Sequence, residues 1–149
     1  MGSDDLQDQL SHYAKFVETV LKPKLSSAES EAGVVRAEIA EYRELKAKAD
    51  ERTKKGLAGE PLEALVDLGH GALFCNAVVR DPDRMFVKVG LGFHAEMTLA
   101  EASEFASKRI SYLRANRLEK RESEIKEIQG HIQSASMILD QLHAEMRNS

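Results

Sequence analysis

Residues that could do chemistry are few in this chain, and they collect near its middle. His70, Cys75 and His94 are of types that bind zinc, and Cys75 is the single cysteine of the sequence. A structural zinc site takes four ligands, usually in closely spaced pairs, and the sequence contains no such pair. Cys75 is therefore interpreted as a small packed residue, and no metal is expected.

Two glycine-rich stretches in the same region raise the question of a phosphate-binding loop. Residues 69–71 read Gly-His-Gly and residues 90–92 read Gly-Leu-Gly. Phosphate loops end in Gly-Lys-Ser/Thr or place a third glycine where a helix opens, and neither stretch does so. Asp81 and Asp83 flank a proline with no nucleophile or base beside them. We therefore interpret the glycines as turn residues, and we predict neither an enzyme nor a cofactor.

The composition narrows the class of protein. Of the 149 residues, 31% are charged and 5% are aromatic, and there is no tryptophan. This is too little bulky apolar surface for a large core, although it suffices for a seam between helices. The net charge of −4 predicts no direct nucleic-acid partner. One cysteine excludes an internal disulfide, and no apolar run is long enough to span a membrane. We expect a soluble, cytoplasmic or nuclear protein.

The first third of the chain has the heptad spacing of a coiled coil. Its apolar positions are Leu6, Leu10, Tyr13, Val17 and Val20, followed by Ala28, Ala32, Val35, Ile39, Tyr42, Leu45 and Ala49. Pro23 interrupts this pattern, and we expect a kink or a short break there because proline removes a helical hydrogen bond. Gly56, Gly59 and Pro61 predict the end of this helix. The sequence thus predicts a helix over residues 5–55.

The last third of the chain predicts a second helix, over residues 99–147. Thr98 and Glu101 fit a capping box, in which each side chain satisfies a backbone N–H group of the other residue. The seam runs through Ala102, Phe105, Arg109 and Leu113, weakens over the charged run 114–124, and continues through Ile128, Ile132, Ala135, Leu139, Leu142 and Met146. The two seams predict an antiparallel coiled coil. A compact bundle of two independent helices is the alternative.

Residues 66–97 predict four short strands, separated by turn residues. The strands are expected over 66–68, 73–79, 84–89 and 93–97, with a proline turn at residues 80–83. Two hairpins leave strand edges that invite pairing with another chain. The predicted oligomerisation residues are Val66, Leu68, Val87, Val89, Gly90, Gly92, Phe93 and Ala95. A positive φ at Gly92 would fix the register of its turn.

These elements together resemble an α-type prefoldin subunit, a mainly α fold with two β hairpins at one end of a coiled coil. The residues that carry the resemblance are Val66-Asp67-Leu68-Gly69, Asp83-Arg84-Met85-Phe86-Val87, Gly90-Leu91-Gly92-Phe93 and Glu96-Met97-Thr98-Leu99-Ala100-Glu101-Ala102. The resemblance implies one prefoldin α-like domain over residues 1–149. It also implies a non-catalytic role in a hetero-oligomer with β-type and other prefoldin-like subunits.

The resemblance further implies that the complex holds unfolded clients, such as actin and tubulin. A prefoldin-like branch of the family is linked to the R2TP co-chaperone and to transcription regulation. The alternative function is a coiled-coil scaffold or transcription cofactor with stable partners. The predicted client-binding residues are Phe16, Leu21, Met137 and Ile138, which add apolar surface beyond the seam. Exposed apolar surface and a flexible methionine side chain suit binding to many different proteins. The alternative is that these residues belong to a wider apolar stripe that packs in the core between the helices.

Overall fold

The structure is a computed structural model that describes residues 2–54, 62–79 and 83–148. The helical elements are α1 (Gly2–Phe16), a first π-turn (Val17–Leu21), α2 (Lys22–Lys54), α3 (Leu99–Leu113), a second π-turn (Arg114–Leu118) and α4 (Glu119–Asn148). The strands are β1 (Leu62–Gly69), β2 (Leu73–Val79), β3 (Arg84–Gly90) and β4 (Phe93–Thr98). Two long helical stretches and two hairpins confirm the predicted fold class. The predicted helix end at Gly56, Gly59 and Pro61 lies outside the described residues.

The first π-turn accommodates Pro23 without ending the helix. Proline has no N–H to donate, and the chain widens in the turn just before it. The Lys22 N–H bonds to the Val17 carbonyl, five residues back, which is the hydrogen bond of a π-helix. The helical path then continues through α2 to Lys54. The disturbance predicted at Pro23 is therefore a local widening of the helix.

The widened turn also changes which side chains face the core. A π-turn has more residues per turn than an α-helix, so a residue three positions on falls away from the starting face. A residue four positions on stays near that face. Val17 and Leu21 are accordingly buried, whereas Val20 is exposed. The predictions of Val20 as a seam residue and of Leu21 as a residue outside the seam are both wrong for this reason.

The described chain divides into two compact units, and the first contains residues 2–38 and 112–148. Its helical segments run antiparallel, since Glu31 pairs with Arg121 at 2.9 Å and Glu38 pairs with Arg117 at 3.9 Å. Val17, Leu21 and Ala135 form a buried cluster, against which Ile132 packs. The buried positions of this seam also include the small side chains of Ala28 and Ala32.

The second unit contains residues 39–111, including both hairpins. Here the end of α2 runs antiparallel to α3, and the Tyr42 and Phe105 rings meet edge to face at 6.0 Å between centroids. The Arg109 guanidinium lies 5.9 Å from the centre of the Tyr42 ring, within the range of a cation–π contact. Ala102 and Ala106 are fully buried on α3. Small residues therefore set the spacing of the helices in this unit.

Thr98 caps the start of α3 as predicted. The difference is that the Glu101 carboxylate accepts a hydrogen bond from the Thr98 hydroxyl, where the capping box predicted a backbone N–H group as the donor. Its hydroxyl accepts a hydrogen bond from the Glu101 N–H at 3.3 Å and donates to the Glu101 carboxylate at 3.2 Å. The next free N–H, that of Leu99, donates to the Asp83 carbonyl at 3.2 Å. The helix start is therefore satisfied partly by its own cap and partly by the residue before β3.

Each hairpin forms a separate two-stranded antiparallel sheet. β1 begins four residues earlier than predicted, and β2 has the predicted bounds. β3 and β4 each extend one residue beyond their predicted ends. The predicted turn at residues 80–83 lies outside the described residues apart from Asp83. Within the described ranges, no helix is long and apolar enough to cross a membrane.

Candidate assembly surface on the two hairpins

A side-chain cap holds the turn of the β1–β2 hairpin. The Asp67 carboxylate accepts the Gly69 N–H at 2.9 Å and the Gly71 N–H at 3.1 Å. The Ala72 N–H closes the turn on the Gly69 carbonyl at 3.1 Å. His70 adopts a left-handed φ of 49° between the two glycines, a conformation that histidine tolerates better than most residues. Asp67 thus fixes where the two strands reverse.

One face of this hairpin is apolar, and no layer of the described chain packs over the whole of it. Directly opposed residues lie on the same face of a sheet, and the pairs Ala64–Ala77 and Val66–Cys75 are opposed in this way. Val66 and Cys75 are exposed, and the two alanines are half-buried. The other face mixes apolar and polar side chains, with Leu65 opposite Asn76. A two-stranded hairpin with one bare apolar face is marginal in water, so this surface favours a partner.

The β3–β4 hairpin is better supported. Met85 faces Met97 and Val87 faces Ala95, and Val87 is only 5% exposed. Val87 was predicted as an oligomerisation residue, but its burial within this chain makes it a core residue. The opposite face is open to solvent, and Phe86 there is 73% exposed.

Two contacts tie the start of β3 to the helices of the second unit. The Arg52 guanidinium lies 3.3 Å from the Asp83 carboxylate, while the Asp83 carbonyl accepts the Leu99 N–H. Arg84 at the start of β3 and Glu96 on β4 also pair, at 2.7 Å, across the two strands. Asp83 therefore links α2, β3 and α3, and it sets where the second hairpin leaves the helices.

A three-residue group pins α2 to α3 in the same unit. The Asp50 carboxylate accepts hydrogen bonds from Lys46 Nζ at 2.8 Å and from Ser103 Oγ at 2.6 Å. The same Lys46 Nζ lies 3.1 Å from Ser103 Oγ. The Lys46 hydrogen bond first, and the Ser103 hydrogen bond second, lower the pKa of Asp50 below its ordinary value. The sequence pattern did not indicate this group, because its members look like ordinary charged positions on a helix.

The turn between β3 and β4 has unusual backbone angles. The ladder shifts register between Lys88 and Gly90, and Gly90 pairs with Phe93. Gly90, Leu91 and Gly92 have φ values of 129°, 53° and 80°. The positive φ predicted for Gly92 is confirmed, and Leu91 joins it in the left-handed region. This turn therefore depends on glycine for its shape.

The remaining predicted oligomerisation residues lie at or near these surfaces. Val66 and Leu68 on β1 are exposed, as are Val89 on β3 and Phe93 on β4, while Ala95 is half-buried. Exposed apolar residues that the prediction omitted are Leu65, Leu73, Phe74, Val78, Val79, Phe86 and Leu91. Alternation alone could not identify them, since a hairpin without a covering layer exposes both of its faces.

The predicted client-binding residues lie on the helices of the first unit. Met137 is 67% exposed, and Phe16 and Ile138 are also exposed. Leu21 is 5% exposed and lies in the cluster with Val17 and Ala135, so its role is packing. The exposed neighbour that the prediction missed is Val20.

The candidate metal ligands are distributed over separate elements. His70 lies in the β1–β2 turn, Cys75 lies on β2 and His94 lies on β4. Among residues 2–54, 62–79 and 83–148, no three His, Cys, Asp or Glu side chains are grouped as a metal site would require. Cys75 is exposed, so the interpretation of it as a packed residue is wrong for this chain by itself.

Comparison with known proteins identifies the family to which a chain with these elements belongs. The family profile described as "Prefoldin subunit" matches residues 21–145. The chain belongs to the prefoldin family. It is 37% identical to "Protein UXT homolog" of Nematostella vectensis over 73% of this chain and 68% of that protein. It is 30% identical to "Prefoldin subunit alpha" of Methanosarcina acetivorans over 62% of this chain and 65% of that subunit.

A solved structure has a similar fold. The chain is similar to one in the cryo-EM structure of filamentous PFD from Methanocaldococcus jannaschii, with a TM-score of 0.57 and 25% identity. The match covers 76% of this chain and 90% of the archaeal one. Similarity to UXT proteins and to archaeal α subunits confirms the α-type resemblance of the sequence. The matched region spans about two thirds of the length of the curated relatives.

Proposed function

We propose that this chain is a non-catalytic subunit of a hetero-oligomeric prefoldin or prefoldin-like complex, in which the two hairpins form the assembly platform. The observation that carries the proposal is the set of exposed apolar side chains on both hairpins. Each strand has one hydrogen-bonded neighbour within the described residues, and apolar side chains from Leu65 to Phe93 are exposed along them. Such edges and faces are stable when strands of neighbouring subunits cover them.

The size of the exposed side chains supports assembly as the stable state. Leu65, Leu73, Phe86 and Phe93 are each more than 60% exposed. Fully burying one such side chain contributes roughly 1.5–3 kcal/mol. The free energy gained by covering several of these side chains at once exceeds what a monomer could gain by small rearrangements. The α-type similarity makes β-type prefoldin subunits the expected neighbours, and mixed assembly is favoured over a homo-oligomer.

A matched pair of valine substitutions tests the assembly proposal. Val66→Lys places a charge on the apolar face of β1, while Val34→Lys places the same charge on an exposed helical position. Mass measurement by light scattering after size exclusion, with purified β-type subunits, should show assembly for wild type and for Val34→Lys. It should show loss of assembly for Val66→Lys with an unchanged circular dichroism spectrum. A wild-type chain that stays monomeric beside those subunits would contradict the proposal.

The helices of the first unit supply the second half of the proposed function, the holding of non-native proteins. Phe16, Val20, Met137 and Ile138 expose apolar surface, and the unbranched methionine side chain adapts to varied partners. The double change Phe16→Ser and Met137→Ser should weaken suppression of aggregation of chemically denatured actin by the assembled complex. Val34→Ser is the control, because Val34 and Met137 are equally exposed at 67%. Equal suppression by all three complexes would assign these residues to structure alone.

Co-purification from cell extract separates the complex from the alternative function. Co-eluting prefoldin-type subunits support the proposal, and components of an R2TP-type co-chaperone would place the chain in a prefoldin-like complex. Co-elution with transcription factors in the absence of any prefoldin-type chain would support a scaffold or cofactor instead.

A further inference from the structure

Leu91 combines two unfavourable features in one residue. Its φ is 53°, in the left-handed region, where a residue with a Cβ atom is destabilised and where glycine or asparagine is usual. Its side chain is also 97% exposed, so contacts within this chain do not offset the strain. An observed backbone outlier of this kind is a basis for inferring function.

The turn of the other hairpin also contains a non-glycine residue at a left-handed φ. His70 has nearly the same φ, 49°, between two glycines, but its side chain is polar. Histidine is enriched at positive φ relative to most residues, and solvent suits its exposed ring. At a similar φ, the β1–β2 turn therefore has a tolerated polar residue and the β3–β4 turn has a large apolar one.

The position of Leu91 separates it from the strand ladder. The last paired residues of the hairpin are Gly90 and Phe93, and Leu91 lies beyond them. It cannot take part in strand pairing, whatever neighbour adds to the sheet. Val89 and Phe93 on either side of the turn are also exposed. These three residues form an apolar tip, which we define as Val89, Leu91 and Phe93.

We propose that Leu91 is an apolar anchor that inserts into a hydrophobic depression on a neighbouring prefoldin-type subunit. This inference rests on the proposed hairpin assembly. A strand added to β3 or β4 lies about 4.8 Å away, which brings the adjoining subunit within reach of the tip.

The charges near the tip favour a protein over a lipid surface. Lys88 lies opposite His94, and farther along the strands Arg84 pairs with Glu96. A lipid-binding tip gains much of its affinity from a cluster of basic residues, whereas the Lys and Arg residues of this hairpin are Lys88 and an Arg84 that is paired with Glu96. A well-packed apolar side chain at a protein interface needs no such cluster.

The test compares three variants of the full chain for binding to purified β-type prefoldin subunits. Leu91→Asn keeps the turn, since asparagine tolerates a positive φ, and removes the apolar side chain. We expect its affinity to fall between about tenfold and a hundredfold, the range for losing one buried leucine. Leu91→Met should bind within about threefold of wild type. His70→Asn is the control in the other turn and should leave affinity unchanged.

The possible results test the Leu91 anchor and the hairpin assembly separately. Wild-type binding together with equal affinity of Leu91→Asn would overturn the anchor and leave the assembly standing. No binding by wild type would overturn both. Wild-type binding to phosphatidylcholine–phosphatidylserine vesicles that Leu91→Asn abolishes would also overturn the subunit as the occupant. The unfolding midpoint of Leu91→Asn should equal or exceed that of wild type, which shows that a loss of affinity does not come from misfolding.

Discussion

Replacing Gly92 by valine isolates the effect of backbone conformation on the second hairpin. Gly92 has a φ of 80°, and a Cβ atom added there would meet no atom within 4 Å apart from its two chain neighbours. The space beyond those neighbours is therefore open to a Cβ atom. The main expected effect comes from placing a β-branched side chain in the left-handed region, where such residues are outliers.

The expected magnitude follows from that conformational strain. A left-handed residue with a Cβ atom is destabilised by roughly 1–2 kcal/mol, and strained backbone positions by about 1–3 kcal/mol. We expect Gly92→Val to destabilise the β3–β4 hairpin by about 2 kcal/mol, which is close to a thirtyfold change in its opening equilibrium. Gly92→Asn should cost less than about 1 kcal/mol, because asparagine is accepted at positive φ.

Amide hydrogen exchange measures the opening of this hairpin directly, since local units open independently of global unfolding. Protection of the paired amides of β3 and β4 should fall in Gly92→Val and stay near wild type in Gly92→Asn. Amides of α3 and α4 should be unaffected and serve as the internal control. Equal loss of protection in both variants would refute the conformational explanation, because the two residues differ in their tolerance of a left-handed φ.

Two further predictions concern the helices. Gly33 and Gly130 lie inside α2 and α4 with open space around the Cβ position. Replacing each by alanine should raise the free energy of unfolding by about 0.5–1 kcal/mol, measured by urea titration. An unchanged free energy of unfolding would indicate that the helix needs glycine at these positions for its conformation. Hydrogen bonds from Lys46 and Ser103 lower the pKa of Asp50, so the stabilisation from this group is complete above pH 3.8 and is lost as the pH falls through the lower folded-state pKa. Ser103→Ala should move the Asp50 pKa upward in a carboxyl NMR titration, and an unchanged value would mean that Ser103 has no part in the shift.

The sequence by itself determined the type of the main elements and, within the described residues, their approximate positions. Heptad spacing predicted both helices, because a seam of apolar residues at that period is stable only when two helices bury it together. Thr98 and Glu101 located the start of α3, and alternation bounded by glycine located β2 correctly. The specific run from Gly90 to Phe93 carried the prefoldin resemblance, which the similarity to prefoldin subunits then confirmed.

Tertiary structure decided which individual side chains are buried and which remain exposed. Counting heptads assumes a constant number of residues per turn, and the first π-turn breaks that assumption, so Leu21 is buried where Val20 was expected. Val87 is buried whereas Val89 on the same strand is exposed, a difference that alternation does not encode. The left-handed φ of Leu91 depends on the register of the β3–β4 ladder. A strand pattern specifies faces but not the turn that joins them.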